Sequence, residues 1–227
     1  MPIRLRWFSI EPFISRDVSR LSEHLLSEKY TEERGWGFNL SDVRKDYVLG
    51  RYIVREKRIE SFRDPIGETR SVEFEIFYDT EFRVQNKAPQ LEVTSPARGL
   101  TEMFDHFGKC FDYTISITPV AVDPLRLLKK LKRDFEVVSM QKAVISDIEL
   151  SPLSTATFIL AGSEDVQKFF SQVVRGKKYA LNSAIISFLD SGVEVKFEIS
   201  RTGRLKVLND DSSRKASFYR GYIAQLL

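Results

Sequence analysis

Cys110 follows His106 by four residues, and Asp190, Glu194 and Lys196 stand close together in the segment DSGVEVKF. These are the side chains whose types and spacing could do chemistry. A thiol beside an imidazole base is the core of a cysteine nucleophile. One helical turn is a poor way to build that pair, so Cys110 reads as a small buried hydrophobe. Carboxylates with a Glu-x-Lys pair on a strand could hold a divalent cation and polarise a phosphate, as in nucleases of the restriction type. Against this, Val193, Val195, Phe197 and Ile199 alternate as a core face, which leaves Glu194, Lys196 and Glu198 as its solvated reverse.

Other catalytic signatures are missing. The sequence has no glycine-rich phosphate loop, no Walker-type lysine and no serine nucleophile elbow. Two histidines and one cysteine do not make a zinc site of the usual spacing. No catalytic residue, metal ligand or cofactor is assigned.

Cations offer a different chemistry. Arg126, Lys129, Lys130 and Arg133 recur along the polar side of a helix predicted over Pro124–Phe135. Arg175, Lys177 and Lys178 follow the next predicted helix. Such clusters neutralise phosphates, although a cationic helix face is often only solvated. No aromatic sheet-face signature of an RNA-recognition module accompanies them. The expected function is a non-enzymatic protein that binds nucleic acid or a nucleoprotein complex. One alternative is an assembly subunit, binding a protein partner or a second copy through a C-terminal helix or a sheet edge. The other is a metal-dependent nuclease built on Glu194 and Lys196.

The elements that must position these residues follow from periodicity. Tyr113–Val120 alternates as a strand, and Asp123 before Pro124 makes a helix start. Val144–Leu150 and Thr155–Leu160 read as strands around an SPLS turn. Ser163 is expected to cap a helix whose apolar face is Val166, Phe169, Phe170, Val173 and Val174. Strands over Tyr179–Leu189, Val193–Ile199 and Arg204–Leu208 follow. The first six of these elements match the split βαβ plan.

Upstream, Ile3–Ile10 alternates, Ser15 stands before the periodic residues Val18, Leu21, Leu25 and Leu26, and Tyr30–Asn39 reads as a loop around Trp36. Tyr47–Phe62 and Val72–Val84 form a long hairpin around the DPIG turn, one arm cationic and the other acidic, so cross-ladder ion pairs are expected. Leu91–Val93 is a short strand, and Leu100, Met103, Phe104 and Phe107 give a helix. A C-terminal helix carries Tyr219, Tyr222, Ile223, Leu226 and Leu227, with Ser212 or Ser213 as its cap.

The fold expectation is therefore α+β: two packed ferredoxin-like halves with antiparallel sheets, residues 1–110 with the hairpin and 111–227 with extra strands and the terminal helix. Tandem ferredoxin-like proteins of this length include the RNA-processing family of CRISPR systems. This chain lacks that family's C-terminal glycine-rich loop, and it is assigned to no family.

Composition bounds the rest. The 227 residues are 42% hydrophobic and 30% charged with a formal net charge of +3, an ordinary globular balance. A single cysteine excludes an internal disulfide and fits a reducing compartment. No apolar run approaches the roughly 20 residues of a membrane span, and the N-terminus is too charged for a signal peptide. A cytoplasmic protein with no membrane contact is expected.

Overall fold

The computed structural model describes residues 3–12, 18–96, 100–151, 153–209 and 221–224. The fold is α+β, with a large antiparallel sheet and several helices. It divides into two compact units, one of Ile10–Ile117 and one that joins Met1–Ser9 to Thr118–Leu227.

In the second unit the strands are β1 (Arg4–Glu11, through Ser9), β7 (Glu136–Ser151), β8 (Ser154–Ala161), β9 (Ala180–Asp190), β10 (Val193–Ser200) and β11 (Arg204–Val207). They lie in the order β1-β11-β10-β9-β7-β8. Helix α3 (Pro124–Asp134) begins as the sequence predicts: the Asp123 carboxylate accepts the N–H groups of Leu125 and Arg126 at 2.9 and 3.3 Å. Its buried residues are Pro124, Leu127, Leu128 and Leu131. The three leucines pack into one core with Leu5, Trp7, Ile186, Phe188, Phe197 and Leu205.

The split βαβ pairing does not form. That plan puts the strand preceding α3 in the middle of the sheet. Instead β6, only Ser116–Pro119, pairs with β1, and β9 pairs directly with β7. Asp112 and Tyr113 adopt left-handed φ values of 49° and 55°, so the expected strand loses its beginning. What remains is too short to compete with the long β7–β9 ladder.

Strand β7 is twice the length the sequence suggests. Register shifts interrupt its pairing with β9 at Glu136/Ser139, Met140/Lys142 and Val144/Ile145. The inward residues are consequently Met140, Ala143, Ile145 and Ile148. Bulges insert unpaired residues and break strict alternation, which hides the first half of this strand from a period-two search.

Helix α4 (Gln167–Val173) is shorter than expected, and Val166 rather than Ser163 stands at its start. Asp165 accepts the Gln167 N–H at 3.0 Å. The inward residues are Val166, Phe170 and Val174, spaced one turn apart. Phe169 was expected on that face, but it is 60% exposed. Val173 packs against the same core from its edge, whereas Phe169 falls outside the contact.

At the C-terminus, residues 221–224 are helical. Ile223 is 1% exposed and belongs to the core of this unit, and the Tyr222 hydroxyl donates to the Asp134 carboxylate. Ser212, Ser213, Tyr219, Leu226 and Leu227 lie outside the described residues.

In the unit Ile10–Ile117, β2 (Trp36–Val43), β3 (Tyr47–Arg63), β4 (Thr69–Gln85) and β5 (Leu91–Thr94) form a meander in chain order. Helices α1 (Ser19–Ser27) and α2 (Thr101–Lys109) complete it. Phe38 joins sheet to helix: its ring meets Phe82 at 5.8 Å and Phe107 of α2 at 6.0 Å, both edge-on. Strand β2 replaces the expected loop. Gly37 has φ 150°, and a Cβ there would meet the Tyr30 nitrogen at 2.3 Å. Glycine in a strand permits such close backbone approach. The Tyr30 N–H donates to Phe38 O, and the Phe38 N–H to Glu28 O.

The expected hairpin is present, with β3 and β4 paired from Tyr47↔Gln85 to Arg63↔Thr69. Its cross-ladder ion pairs are Arg51–Asp79, Arg55–Glu75 and Lys57–Glu75. Phe170→Ala is expected to cost about 3–5 kcal/mol, and Phe169→Ala to stay within about 0.5 kcal/mol of the parent; urea unfolding of the two variants measures the contrast.

Candidate functional site

Helix α3 presents its cations away from the sheet because its leucines take the other side. Arg126, Lys129 and Arg133 are exposed and Lys130 is half-buried. Among the described residues none of these four forms an ion pair. Lys132 behaves differently. It points toward α4, lies 3.5 Å from the Asp165 carboxylate and donates to Gln167 Oε1 at 2.5 Å. Among the described residues the α3 stripe is thus a set of cations without a paired carboxylate.

Arg175, Lys177 and Lys178 are also exposed. The contact between Lys132 and Gln167 places the end of α3 at the start of α4, so the loop after α4 returns toward the first turn of α3. There a cleft of about 360 Å³ opens between Asp123–Leu125 and Tyr179–Leu181. Arg126 adjoins one wall and Lys178 the other. One member of each cluster thus stands next in sequence to a residue that lines this cleft. Arg201 also lines this cleft, held by the turn whose carbonyl accepts the Val122 N–H at 2.9 Å. A lone arginine in a turn carries no sequence signal that would have found it.

The Cys110 thiol is not set against the His106 imidazole. The Cys110 thiol donates to the His106 backbone carbonyl at 3.2 Å, not to the imidazole. Burial, with Glu28 nearby, pushes the thiol up to about 12. His106 instead shares a 2.6 Å hydrogen bond between its Nδ1 and the hydroxyl of Tyr52, a residue only 4% exposed. The His106 ring also stacks on Trp36, centroids 3.4 Å apart and planes 2° from parallel. The Arg34 and Lys109 cations sit 5.0 and 5.3 Å from the Trp36 ring centre, and both pair with Glu28. Trp36 is therefore a half-buried plug that ties β2 to α2.

Burial lowers the pKa of His106, Lys109 lowers it further, and Glu102 and Asp105 only partly oppose. Burial and the same two carboxylates raise that of Tyr52. Both shifts favour the uncharged forms of the pair, and its hydrogen bond ties β3 to α2.

Glu194 and Lys196 occupy β10 positions opposite Leu189 and Ser187. Glu194 is exposed and Lys196 half-buried, as the alternation of the strand requires. Among the described residues no group of three His, Cys, Asp or Glu side chains is placed to hold a metal ion, which weakens the nuclease alternative. No helix among them is long and apolar enough to cross a membrane. No family model matches the chain, and no curated protein matches its sequence.

The lowered pKa of His106 has a stability consequence. An unfolded histidine titrates near 6.5, above the folded value. The unfolded chain binds more protons between the two values, so the stabilisation is full above about pH 6.5 and is lost as pH falls through the folded value. A melt series from neutral to mildly acid pH should show this loss in the parent and a smaller one in His106→Gln.

Proposed function

We propose that the chain is a non-enzymatic nucleic-acid-binding protein whose contact surface is the outward face of α3 with the loop after α4. The observation that carries this reading is the contrast in charge pairing. Arg34, Arg51, Arg55, Lys57, Arg58, Arg70 and Lys109 each lie within 4.0 Å of a carboxylate. Among the described residues no carboxylate lies so close to Arg126, Lys129, Lys130 or Arg133, although one helix brings them together. Unpaired cations on a rigid element release counterions when they meet phosphates, and this gives affinity without base reading. The Arg175–Lys178 loop and Arg201 extend the cationic surface past the first turn of α3.

Replacing Lys129, Lys130 and Arg133 together by Ala should weaken binding to all sequences. The slope of log affinity against log salt should flatten by roughly 0.7–0.9 for each phosphate contact removed. Fluorescence anisotropy with duplex and single-stranded oligonucleotides across a salt series measures both. An unchanged slope means that the stripe is only solvated.

A second reading, assembly through a sheet edge, is favoured by the hairpin. The β2 ladder ends at Trp36↔Val54 and the β5 ladder at Glu81↔Thr94. Beyond these rows β3 and β4 continue as a two-stranded ribbon of about 30 Å. It leaves Ile59, Phe62, Ile66, Val72 and Phe77 exposed. Exposed apolar ribbons with open edges are pairing surfaces. If this edge mediates assembly, Phe62→Lys with Val72→Lys should reduce the mass measured by light scattering and leave nucleic-acid affinity unchanged.

A further inference from the structure

The face of the sheet turned away from α3 carries a second cationic group, with a different geometry. In the β1–β11 ladder Arg6 stands directly opposite Arg204, and Arg4 directly opposite Lys206. The intervening pair, Leu5 and Leu205, faces the core with Leu127, Leu128 and Leu131. The four cations therefore project together from the other face. Like charges directly opposite one another destabilise a ladder, so this arrangement costs the isolated protein stability.

Three observations describe how the group is held. The Arg6 guanidinium lies over the Phe8 ring, 5.6 Å from its centre. Its Nε is buried and has no hydrogen-bond partner among the described residues. Burial and the charge of Arg204 lower its pKa, with no carboxylate acting in the opposite sense. Along the ladder Glu198 of β10 stands opposite Lys206, and no ion pair joins the two among the described residues. A buried donor without an acceptor in a native structure is commonly explained by an ion or water that completes it.

We propose that Arg6 and Arg204, with Lys206 beside them, form a phosphate-binding site on this face of the sheet. Two guanidinium forks match the oxygens of a tetrahedral oxyanion. A phosphate group between them cancels the repulsion and supplies acceptors to both. A lone carboxylate lacks the charge to offset three cations. The patch is open, with Arg204 exposed, so it accepts a phosphate standing free or carried on a strand. This site is separate from the α3 surface, because the two lie on opposite sides of one sheet.

The test uses the full chain, inorganic phosphate as the probe, and chloride at matched ionic strength as the reference. Phosphate should raise the melting midpoint of the parent above that in chloride. Arg204→Gln should weaken phosphate binding by about tenfold or more, the loss expected for a charge-assisted hydrogen-bond pair. Without phosphate the same variant should melt no lower than the parent, since the substitution removes repulsion. Lys206→Gln serves as the second variant and should also weaken phosphate binding. The α3 triple-alanine variant should keep the full phosphate response, which separates failure of this site from failure of the α3 surface. A single-stranded oligonucleotide without terminal phosphates identifies the source: displacement of phosphate makes the ligand an internucleotide phosphate, and coexistence makes it a free one. An equal phosphate response in the parent and in Arg204→Gln, or no response in the parent, overturns the proposal.

Discussion

Leu127, Leu128 and Leu131 hold α3 against the sheet, and the rest of the second unit is arranged by that contact. Each buried leucine contributes about 1.5–3 kcal/mol relative to exposure, enough to fix which side of the helix faces inward. Ile186, Phe188, Phe197 and Leu205 meet the leucines from the strands. Because side chains alternate along a strand, placing these residues inward forces Ser187, Lys196, Glu198 and Lys206 to the opposite face. The same contact turns Arg126, Lys129 and Arg133 to solvent on the helix. Both cationic surfaces are thus consequences of one apolar interface.

The unit Ile10–Ile117 uses a different joint. Phe38, Phe82 and Phe107 meet edge-on, and above them Trp36, His106 and Tyr52 form a half-polar lid. The hydrogen bond between Tyr52 and His106 satisfies two groups that would otherwise be buried without partners, a costly arrangement. This is why a histidine sits on the inner side of α2 without any catalytic company. Several cations of this unit are paired locally. Arg51, Arg55 and Lys57 reach carboxylates across the hairpin, and Arg34 and Lys109 share Glu28.

The chain thus holds two kinds of cation. Exposed ion pairs add little stability, but they remove charge from the surface and so shape the field that a polyanion meets. Arginines paired across the hairpin contribute little to that field. Arg126, Lys129, Lys130 and Arg133 on α3, with Arg6 and Arg204 facing one another on β1 and β11, contribute more, since no described carboxylate neutralises them within an ion pair.

Much of the local structure is written in residue order. The Asp123–Pro124 helix start, the long hairpin, and strands β9 to β11 are legible because caps, turns and alternation act within a few residues. The outward position of the α3 cations follows from the same periodicity. Tertiary structure decided the remainder. Gly37 lets the backbone at Tyr30 approach β2, a contact no window of sequence contains. The bulges of β7 replace alternation with an irregular inward set, and the left-handed turn at Asp112–Tyr113 shortens the strand on which a split βαβ plan depends. Arg6 and Arg204 lie almost two hundred residues apart, and only the register of β1 on β11 sets one guanidinium against the other. Spacing along a chain reports the face of an element, whereas register between distant strands is fixed by the whole core.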